Sequence, residues 1–186
     1  MGDPAKRRAT YEDLLAVPNT MIAEIINGVL HTQARPASPH ARAASTLGVE
    51  LGGPFDRGRG GPGGWILLFE PELHLHGDVL VPDYAGWRRT RMPTMPEAAA
   101  FELAPDWVCE VLSKGSVATD RSEKMPIYAR EKVPFLWLVD PLERLLEVYR
   151  LEGGRWLQLG AWHDDALVKA EPFEVFELEL ASLWSR

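Results

Sequence analysis

Two carboxylates stand in apolar stretches where an ionised acid is costly to bury. Glu110 lies inside the run Trp107-Val108-Cys109-Glu110-Val111-Leu112, and Asp83 directly follows Val79-Leu80-Val81-Pro82. A carboxylate in such a place needs a cationic partner or a metal ion. Each acid taken alone could also be a salt-bridged or capping residue at the end of a strand.

Two acids at the ends of neighbouring core strands can converge on one divalent cation. Their hard oxygen ligands suit Mg²⁺ or Mn²⁺. Such a cation serves phosphodiester hydrolysis, because it offsets the charge that builds on the phosphate and makes a bound water more acidic. A nearby ammonium group can orient that water and stabilise the transition state. Asp83 and Glu110 therefore predict a metal site that also requires a lysine.

The acids must be positioned by the strands and helices around them. The apolar runs Trp107–Leu112 and Phe135–Val139 predict two buried strands. Between them, Thr119 is predicted to cap a helix from Asp120 to Glu131, and the order strand, helix, strand favours a parallel pair. Because Pro126 lies inside this helix, we expect a kink or a late helix start.

Turn residues and hydrophobic patterns predict the remaining elements. Asn27-Gly28 between apolar runs is typical of a hairpin turn, because both turn positions need positive φ. The other predicted elements are a helix at Tyr11 capped by Thr10, hairpin strands Met21–Ile26 and Val29–His31, a helix His40–Leu51, a flexible loop Gly52–Gly64, a hairpin of Trp65–Leu75 and Val79–Ala85, a hairpin of Leu145–Leu151 and Trp156–Trp162, and a short helix after Leu180. The fold class is therefore mixed α/β.

The bulk properties fit one compact domain, 1–186, with residues 1–9 expected to be flexible. The 186 residues include 46% hydrophobic and 25% charged side chains, as in ordinary globular proteins. Cys109 is the single cysteine, which excludes an intrachain disulfide and a cysteine-rich zinc site and favours a reducing, cytoplasmic setting. Since no apolar run of membrane-spanning length and no signal-peptide stretch occurs, we expect neither membrane insertion nor secretion.

The charge balance argues against a protein that coats nucleic acid through a broad basic surface. The formal net charge is −7 and the sequence pI is about 5.3. A local basic groove is compatible with that balance. The clusters that could supply one are Lys6-Arg7-Arg8, Arg57 with Arg59, and Arg88-Arg89 with Arg91. Short charge runs of this kind are more often solvated faces.

Several motifs, taken in order, give a resemblance to a known family. They are Glu24-Ile25-Ile26-Asn27-Gly28, Val81-Pro82-Asp83, Pro105-Asp106-Trp107-Val108-Cys109-Glu110-Val111-Leu112-Ser113, Asp120-Arg121-Ser122-Glu123-Lys124, Tyr128-Ala129-Arg130, and Trp137-Leu138-Val139-Asp140-Pro141. With them the chain resembles the putative restriction endonuclease family, a domain of unknown function within the PD-(D/E)XK nuclease superfamily. The resemblance covers most of the chain, from about Tyr11 to Leu183.

This resemblance implies a fold, an activity and a set of ligands. The implied architecture is a restriction endonuclease-like core, in which helices flank a mixed central β-sheet, with hairpins near both termini. The implied activity is Mg²⁺- or Mn²⁺-dependent endonuclease cleavage of DNA, with a homodimer expected by analogy. Asp83, Glu110 and the backbone carbonyl of Val111 would hold the metal.

The usual superfamily pattern places the catalytic lysine two residues after the acid, but that position is Leu112 here. The resemblance implies that the lysine has moved to the following helix, where Lys124 occupies the matching place. Asp120, Lys124 and Tyr128 recur at i, i+4 and i+8, so they share a helix face that could point toward Glu110. The alternative for this face is an ordinary exposed ion pair between Asp120 and Lys124.

Six further residues are candidates for the site. Lys114 is the competing lysine, because it follows the strand of Glu110 closely enough to fold over the site. Glu24 matches an early acidic position of the family and shares an apolar strand face with Ile22 and Ile26, so we expect a supporting or metal-ligand role. His40, at the start of its helix, could approach phosphate as Arg88, Arg89 and Arg91 could.

Two alternative functions use the same residues. A protein with the nuclease fold that binds nucleic acid or protein without cutting is favoured by the overall acidity and by Leu112. A metal hydrolase acting on a small phosphoester would have a closed pocket instead of an open basic groove. The convergence of Asp83, Glu110 and Lys124 on one cleft would favour an enzyme over the non-cutting protein.

Overall fold

The computed structural model describes residues 7–185, and these residues form a mixed α/β structure with two main sheets. The helices are α1 (Tyr11–Leu15), α2 (Ser38–Leu51), α3 (Val117–Thr119), α4 (Met125–Arg130) and α5 (Ala181–Trp184). π-helical turns at Gly52–Asp56 and Asp120–Lys124 continue α2 and α3. The strands are β1 (Met21–Ile26), β2 (Val29–Ala34), β3 (Trp65–Phe69), β4 (Leu73–Leu75), β5 (Asp78–Leu80), β6 (Tyr84–Arg88), β7 (Trp107–Val111), β8 (Phe135–Asp140), β9 (Leu145–Glu152), β10 (Arg155–His163), β11 (Leu167–Val168) and β12 (Leu178–Glu179).

The central sheet has the strand order β10-β9-β8-β7-β6-β3. Its β7 and β8 strands run parallel, as predicted, with Glu110 opposite Leu138. Its other neighbouring strands pair antiparallel. A second sheet has the order β2-β1-β5-β4, and the predicted hairpins β1–β2 and β9–β10 are confirmed. The mixed fold class is therefore confirmed.

The prediction of one hairpin from Trp65–Leu75 and Val79–Ala85 is wrong, because these residues form two separate strand pairs. β3 pairs with β6 in the central sheet, whereas β4 pairs with β5 in the second sheet. Pro71 and Pro82 lie in the gaps between the two pairs, and proline cannot donate to a ladder. The interruption matters for the site, because Asp83 lies in it.

The helical connection before β8 also differs from its prediction. It begins at Val117, so Thr119 lies inside it and is not its cap. The Met125 amide donates to the carbonyl of Asp120, five residues back, in a widened turn just before Pro126. The irregularity expected from Pro126 is thus a π-helical turn, and that turn carries Lys124.

The loop predicted for Gly52–Gly64 is only partly a loop. Its first residues, Gly52–Asp56, extend α2 as a helical turn. The reason is apolar burial, because Phe55 is buried and its ring centroid lies 4.5 Å from that of Phe173. The sequence pattern did not reveal this partner, which is distant in the chain.

The central sheet separates two hydrophobic clusters. Trp107, Cys109 and Val111 of β7 pack on one face with α2 and Phe173. Val108 and Leu112 pack on the other face with Tyr128 of α4. By strand alternation Glu110 shares the second face, which brings its side chain to the connection between β7 and β8.

The start of the described chain lies against the first hairpin. The Ala9 amide donates to the Gly28 carbonyl, and Arg7 pairs with Asp13. Residues 1–6, which make up most of the segment expected to be flexible, lie outside the described residues. Among residues 7–185, no helix combines the length and apolar character needed to cross a membrane.

Candidate active site

Asp83 occupies the seam between the two sheets, just before β6. Its Oδ2 atom accepts a hydrogen bond of 2.7 Å from the backbone amide of Val111. Its Oδ1 atom lies 3.0 Å from Nε2 of His40, the third residue of α2. The hydrogen bond to Val111 ties Asp83 to the strand that carries Glu110, so the two acids are adjacent.

Glu110 is buried in the middle of the β7 ladder. Its Oε1 atom accepts a hydrogen bond of 2.6 Å from the Tyr128 hydroxyl and lies 2.8 Å from Nζ of Lys124. Both contacts use Oε1, and neither uses Oε2. One carboxylate oxygen is thus fixed by the protein through two contacts.

Lys124 is the central cation of the site, and only 2% of its side chain is exposed. Besides Glu110, its Nζ atom lies 3.0 Å from Glu24 and 3.6 Å from Asp120. The helix face predicted from the spacing of Asp120, Lys124 and Tyr128 does point toward Glu110. The alternative of an exposed ion pair between Asp120 and Lys124 is wrong, because both side chains are buried.

Glu24 is oriented by two contacts on one oxygen. Oε1 accepts a hydrogen bond of 2.8 Å from the Val81 amide and also contacts Lys124. The Val81 amide is available because the ladder of β5 ends at Leu80. Glu24 therefore joins the first hairpin to the chain just before Asp83 and is, with Glu110, one of two glutamates that contact the lysine.

Several predicted residues are not brought to this cluster. Lys114 is exposed in the turn after β7. Arg88 ends β6, roughly 16 Å from Asp83 at about 3.3 Å per strand residue. Arg89 pairs with Asp56, and Arg91 pairs with Asp106. The three arginines therefore lie around the far end of β6, where the Arg88 guanidinium lies over the Trp65 ring and those of Arg89 and Arg91 contact carboxylates.

The cluster carries more negative than positive charge. Glu24, Glu110 and Asp120 are buried around a single buried lysine, with Asp83 beside them. Burial raises the pKa of Glu110 well above its usual range, against the opposing attraction of Lys124. Burial likewise raises the pKa of Asp120. An additional cation would relieve this imbalance.

Lys124 itself stays protonated in this environment. Burial by itself would lower its pKa, but attraction to Glu110 and Glu24 outweighs burial, and the pKa lies well above the usual value. The Tyr128 hydroxyl is also held in its neutral form, because burial and the neighbouring Glu110 raise its pKa. Both groups are therefore hydrogen-bond donors and not bases.

A cavity of about 40 Å³ lies between these side chains. Asp83, Glu110, Val111 and Lys124 line it, and Gln33, Glu70 and Ser116 contribute to its walls. A buried water needs roughly 10–15 Å³ of such space, so the cavity has room for a few waters. One polar space is thus bordered by all four residues predicted for the metal and its lysine, namely Asp83, Glu110, Val111 and Lys124.

The donor set fits a hard divalent cation. Asp83 and Glu110 supply carboxylate oxygens, the ligands that Mg²⁺ and Mn²⁺ prefer. Within residues 7–185, no group of three His, Cys, Asp or Glu side chains is arranged to hold a metal by itself. A cation here would therefore complete its ligand shell with backbone oxygen or water, as Mg²⁺ commonly does.

Sequence reasoning missed two contacts of the site. His40 was assigned to phosphate, but it is buried against Asp83, and its Nδ1 has no hydrogen-bond partner among the described residues. Glu70 lines the cavity and donates its backbone N–H to the Asp83 carbonyl at 3.0 Å. The sequence signal that could have indicated Glu70 is its position directly before Pro71, where a strand is interrupted.

Comparisons with known proteins give a family and a fold for this chain. Residues 8–181 match the family described as "Uma2: Putative restriction endonuclease". The fold is similar to the crystal structure of "a putative nuclease belonging to DUF820 from Anabaena variabilis ATCC 29413", with a TM-score of 0.75 and 23% identity. That similarity covers 95% of this chain and 97% of the other, and it shows the fold alone. No curated protein matches the chain.

The family match spans the first hairpin, the strands of Asp83 and Glu110, and the helical turn of Lys124. It therefore includes each of the elements that build the cavity. The chain belongs to the Uma2 family, described as putative restriction endonucleases, and its fold is similar to that of a putative nuclease of known structure.

Proposed function

We propose that this protein is a metal-dependent endonuclease that hydrolyses phosphodiester bonds in DNA. The observation that carries the proposal is the approach of three side chains to one cavity: Asp83 from just before β6, Glu110 from β7, and Lys124 from the helical turn between β7 and β8. The family and the fold support the nuclease class.

In this proposal Asp83 and Glu110 hold a Mg²⁺ or Mn²⁺ ion, with the Val111 carbonyl as a further ligand. The bound cation supplies charge neutralisation for the phosphate and acidity for the attacking water. The Val111 amide and His40 fix the Asp83 carboxylate, while Tyr128 and Lys124 fix one oxygen of Glu110. Such outer contacts hold ligands in a binding-competent orientation.

Lys124 acts as a donor that orients the attacking water and stabilises charge on the phosphate. Its raised pKa keeps it an ammonium, so it does not accept the water's proton. In the hydrolysis, the water oxygen forms a new bond to phosphorus as the ester P–O bond breaks. The water gives up one proton to solvent, and the leaving oxygen takes up a proton.

Cleavage of both strands of a duplex needs two such sites, and a homodimer would supply them. We therefore propose DNA as the partner and a dimer as the cutting species. Size-exclusion chromatography with light scattering would measure the mass of the protein bound to a DNA duplex in EDTA. A mass of one chain in the DNA complex would contradict the dimer and leave single-strand nicking as the activity.

The cleavage experiment compares the wild type with Asp83→Asn, Glu110→Gln and Lys124→Gln. Supercoiled plasmid, single-stranded DNA and RNA are incubated with Mg²⁺ or Mn²⁺, and parallel reactions contain EDTA. We expect cleavage by the wild type only when metal is present, and loss of cleavage in all three variants. Circular dichroism and thermal unfolding establish that each variant is folded.

The matched control is Lys114→Ala, because Lys114 is the nearby lysine that the structure leaves exposed. It should cleave as the wild type does. Loss of cleavage in this control together with retention in Lys124→Gln would reassign the lysine. A wild type that cleaves no substrate with any metal would contradict the nuclease and favour a protein that binds without cutting.

A further inference from the structure

Two segments of the cavity wall are joined by an exposed ion pair between Arg35 and Glu70, and we call the surface at this pair the mouth of the cavity. Gln33, Ala34 and Pro36 line the cavity on the side of β2, and Glu70 lines it on the side of β3. Arg35 belongs to the first segment, and its guanidinium lies 3.1 Å from Oε2 of Glu70. This side chain therefore reaches from one wall of the mouth to the other.

The contact with Glu70 uses only one nitrogen of the Arg35 guanidinium. Arg35 makes one contact with Glu70, through a single nitrogen, whereas a guanidinium carries five N–H donors. The Arg35 side chain is 59% exposed, and that of Glu70 is 19% exposed. An exposed pair of this kind contributes only about 0–1 kcal/mol to stability, so a competing anion can separate it at little cost.

Glu70 is the fixed member of the pair. Its backbone has the left-handed φ of 46°, and its N–H donates to the Asp83 carbonyl. Glu70 is thus bonded to the residue that carries a proposed metal ligand. Arg35, on a long and exposed side chain, is the member that can turn to a new partner.

A nucleic-acid phosphate meets an electrostatic obstacle at this mouth. Glu70, Asp83 and Glu110 all face the cavity, and Lys124 is already shared among acids. A cavity of about 40 Å³ holds a few waters but not a phosphodiester with its two sugars. The strand must therefore approach at the mouth, where a cation is needed and where Arg35 lies.

We propose that Arg35 binds a backbone phosphate of the nucleic-acid strand and that Glu70 occupies Arg35 until the strand arrives. The inference rests on the proposed nuclease function and adds a substrate contact to it. Guanidinium groups suit this task because their fork of donors matches phosphate geometry. Glu70 then also repels anions that cannot compete for Arg35.

The test measures binding of a short fluorescein-labelled DNA strand by anisotropy, in EDTA, over a series of NaCl concentrations. The variants are Arg35→Ala and Glu70→Gln. The matched control is Arg155→Ala, an exposed arginine on β10, at the opposite edge of the central sheet from β3. Thermal unfolding of each variant checks that it is folded.

We expect Arg35→Ala to weaken binding about ten-fold, as for the loss of one charge-assisted contact. It should also reduce the slope of log K against log salt by about one, because one phosphate contact is lost. Glu70→Gln should tighten binding by freeing Arg35, and Arg155→Ala should change neither quantity. In metal-dependent cleavage, Arg35→Ala should raise KM and leave kcat within about two-fold.

Arg35→Ala with the affinity and salt slope of the wild type would overturn the inference while leaving the nuclease proposal intact. Equal losses in Arg35→Ala and Arg155→Ala would also overturn it, because they would show a general effect of net charge. A wild type that neither binds nor cleaves nucleic acid would overturn the proposed function and this inference together.

Discussion

Nζ of Lys124 lies 2.8 Å from Oε1 of Glu110, although the lysine is on a helical turn and the acid is in the middle of a strand. The position two residues after Glu110 on the strand is Leu112, whose side chain is buried among apolar residues. The helical turn therefore supplies the ammonium group that the strand lacks.

Replacement of Lys124 should affect stability as well as chemistry. Lys124→Ala leaves Glu24, Glu110 and Asp120 buried without their shared cation. Removal of one partner from a buried ion pair costs about 3–5 kcal/mol. Urea unfolding should show a loss of this size, whereas Lys114→Ala should stay within about 0.5 kcal/mol of the wild type. Similar stabilities for the two variants would show that Lys124 is not buried among these acids.

The Tyr128 hydroxyl should contribute to both stability and the orientation of Glu110. Tyr128→Phe removes a buried hydrogen bond of 2.6 Å to this carboxylate and keeps the ring in place. We expect a loss of about 1.5–3 kcal/mol in unfolding free energy, the usual contribution of a hydrogen bond to a charged group. Metal affinity or cleavage should fall about 10–100-fold. A variant with unchanged stability and activity would contradict the contact.

A divalent cation should stabilise the folded protein, because it offsets the excess of buried negative charge. At a free Mn²⁺ concentration near 100 times Kd, the gain is about 2.7 kcal/mol. The midpoint temperature of thermal unfolding should therefore rise on addition of Mn²⁺ and return to its starting value with EDTA. Asp83→Asn and Glu110→Gln should lose this response, and Asp165→Asn, at an exposed aspartate, should keep it. An equal response in all three variants would place the cation elsewhere.

Cys109 should be unreactive in the native protein. Its thiol is fully buried, and burial, together with the negative charges of Asp83 and Glu110, raises its pKa well above the usual value. At neutral pH it is therefore a protonated thiol that reagents cannot reach. Iodoacetamide should modify it only after urea unfolding, as mass spectrometry would show. Rapid modification of the folded protein would contradict the packing of β7.

The local elements could be predicted because their signals are local. Asn27 and Gly28 both have positive φ in the turn of the first hairpin, and Glu110 stands on a strand made otherwise of apolar residues. The helix face of Lys124 followed from spacing, although the π-helical turn that carries it did not. The apolar patterns indicate Asp83 and Glu110, whereas the preference for Lys124 over Lys114 rests on the family resemblance.

The remaining features depend on partners that are distant in the chain. The second predicted hairpin is interrupted at Pro71 and Pro82, so that β3 and β6 pair in the central sheet while β4 and β5 pair in the second sheet. Neither proline alone predicts this division between two sheets. The contact of His40 with Asp83 arises from packing of α2 against the central sheet. The pair of Arg35 and Glu70 likewise joins two loops that only the folded chain brings together.

The most direct test of the central claim is anomalous diffraction from crystals grown with Mn²⁺. The account predicts a peak in the cavity, bounded by the Asp83 carboxylate and Oε2 of Glu110, with Lys124 remaining next to Glu110. The peak should be lost in Glu110→Gln crystals grown in the same way. A cavity without a peak at millimolar Mn²⁺, or a peak bound only by other residues, would contradict the claim.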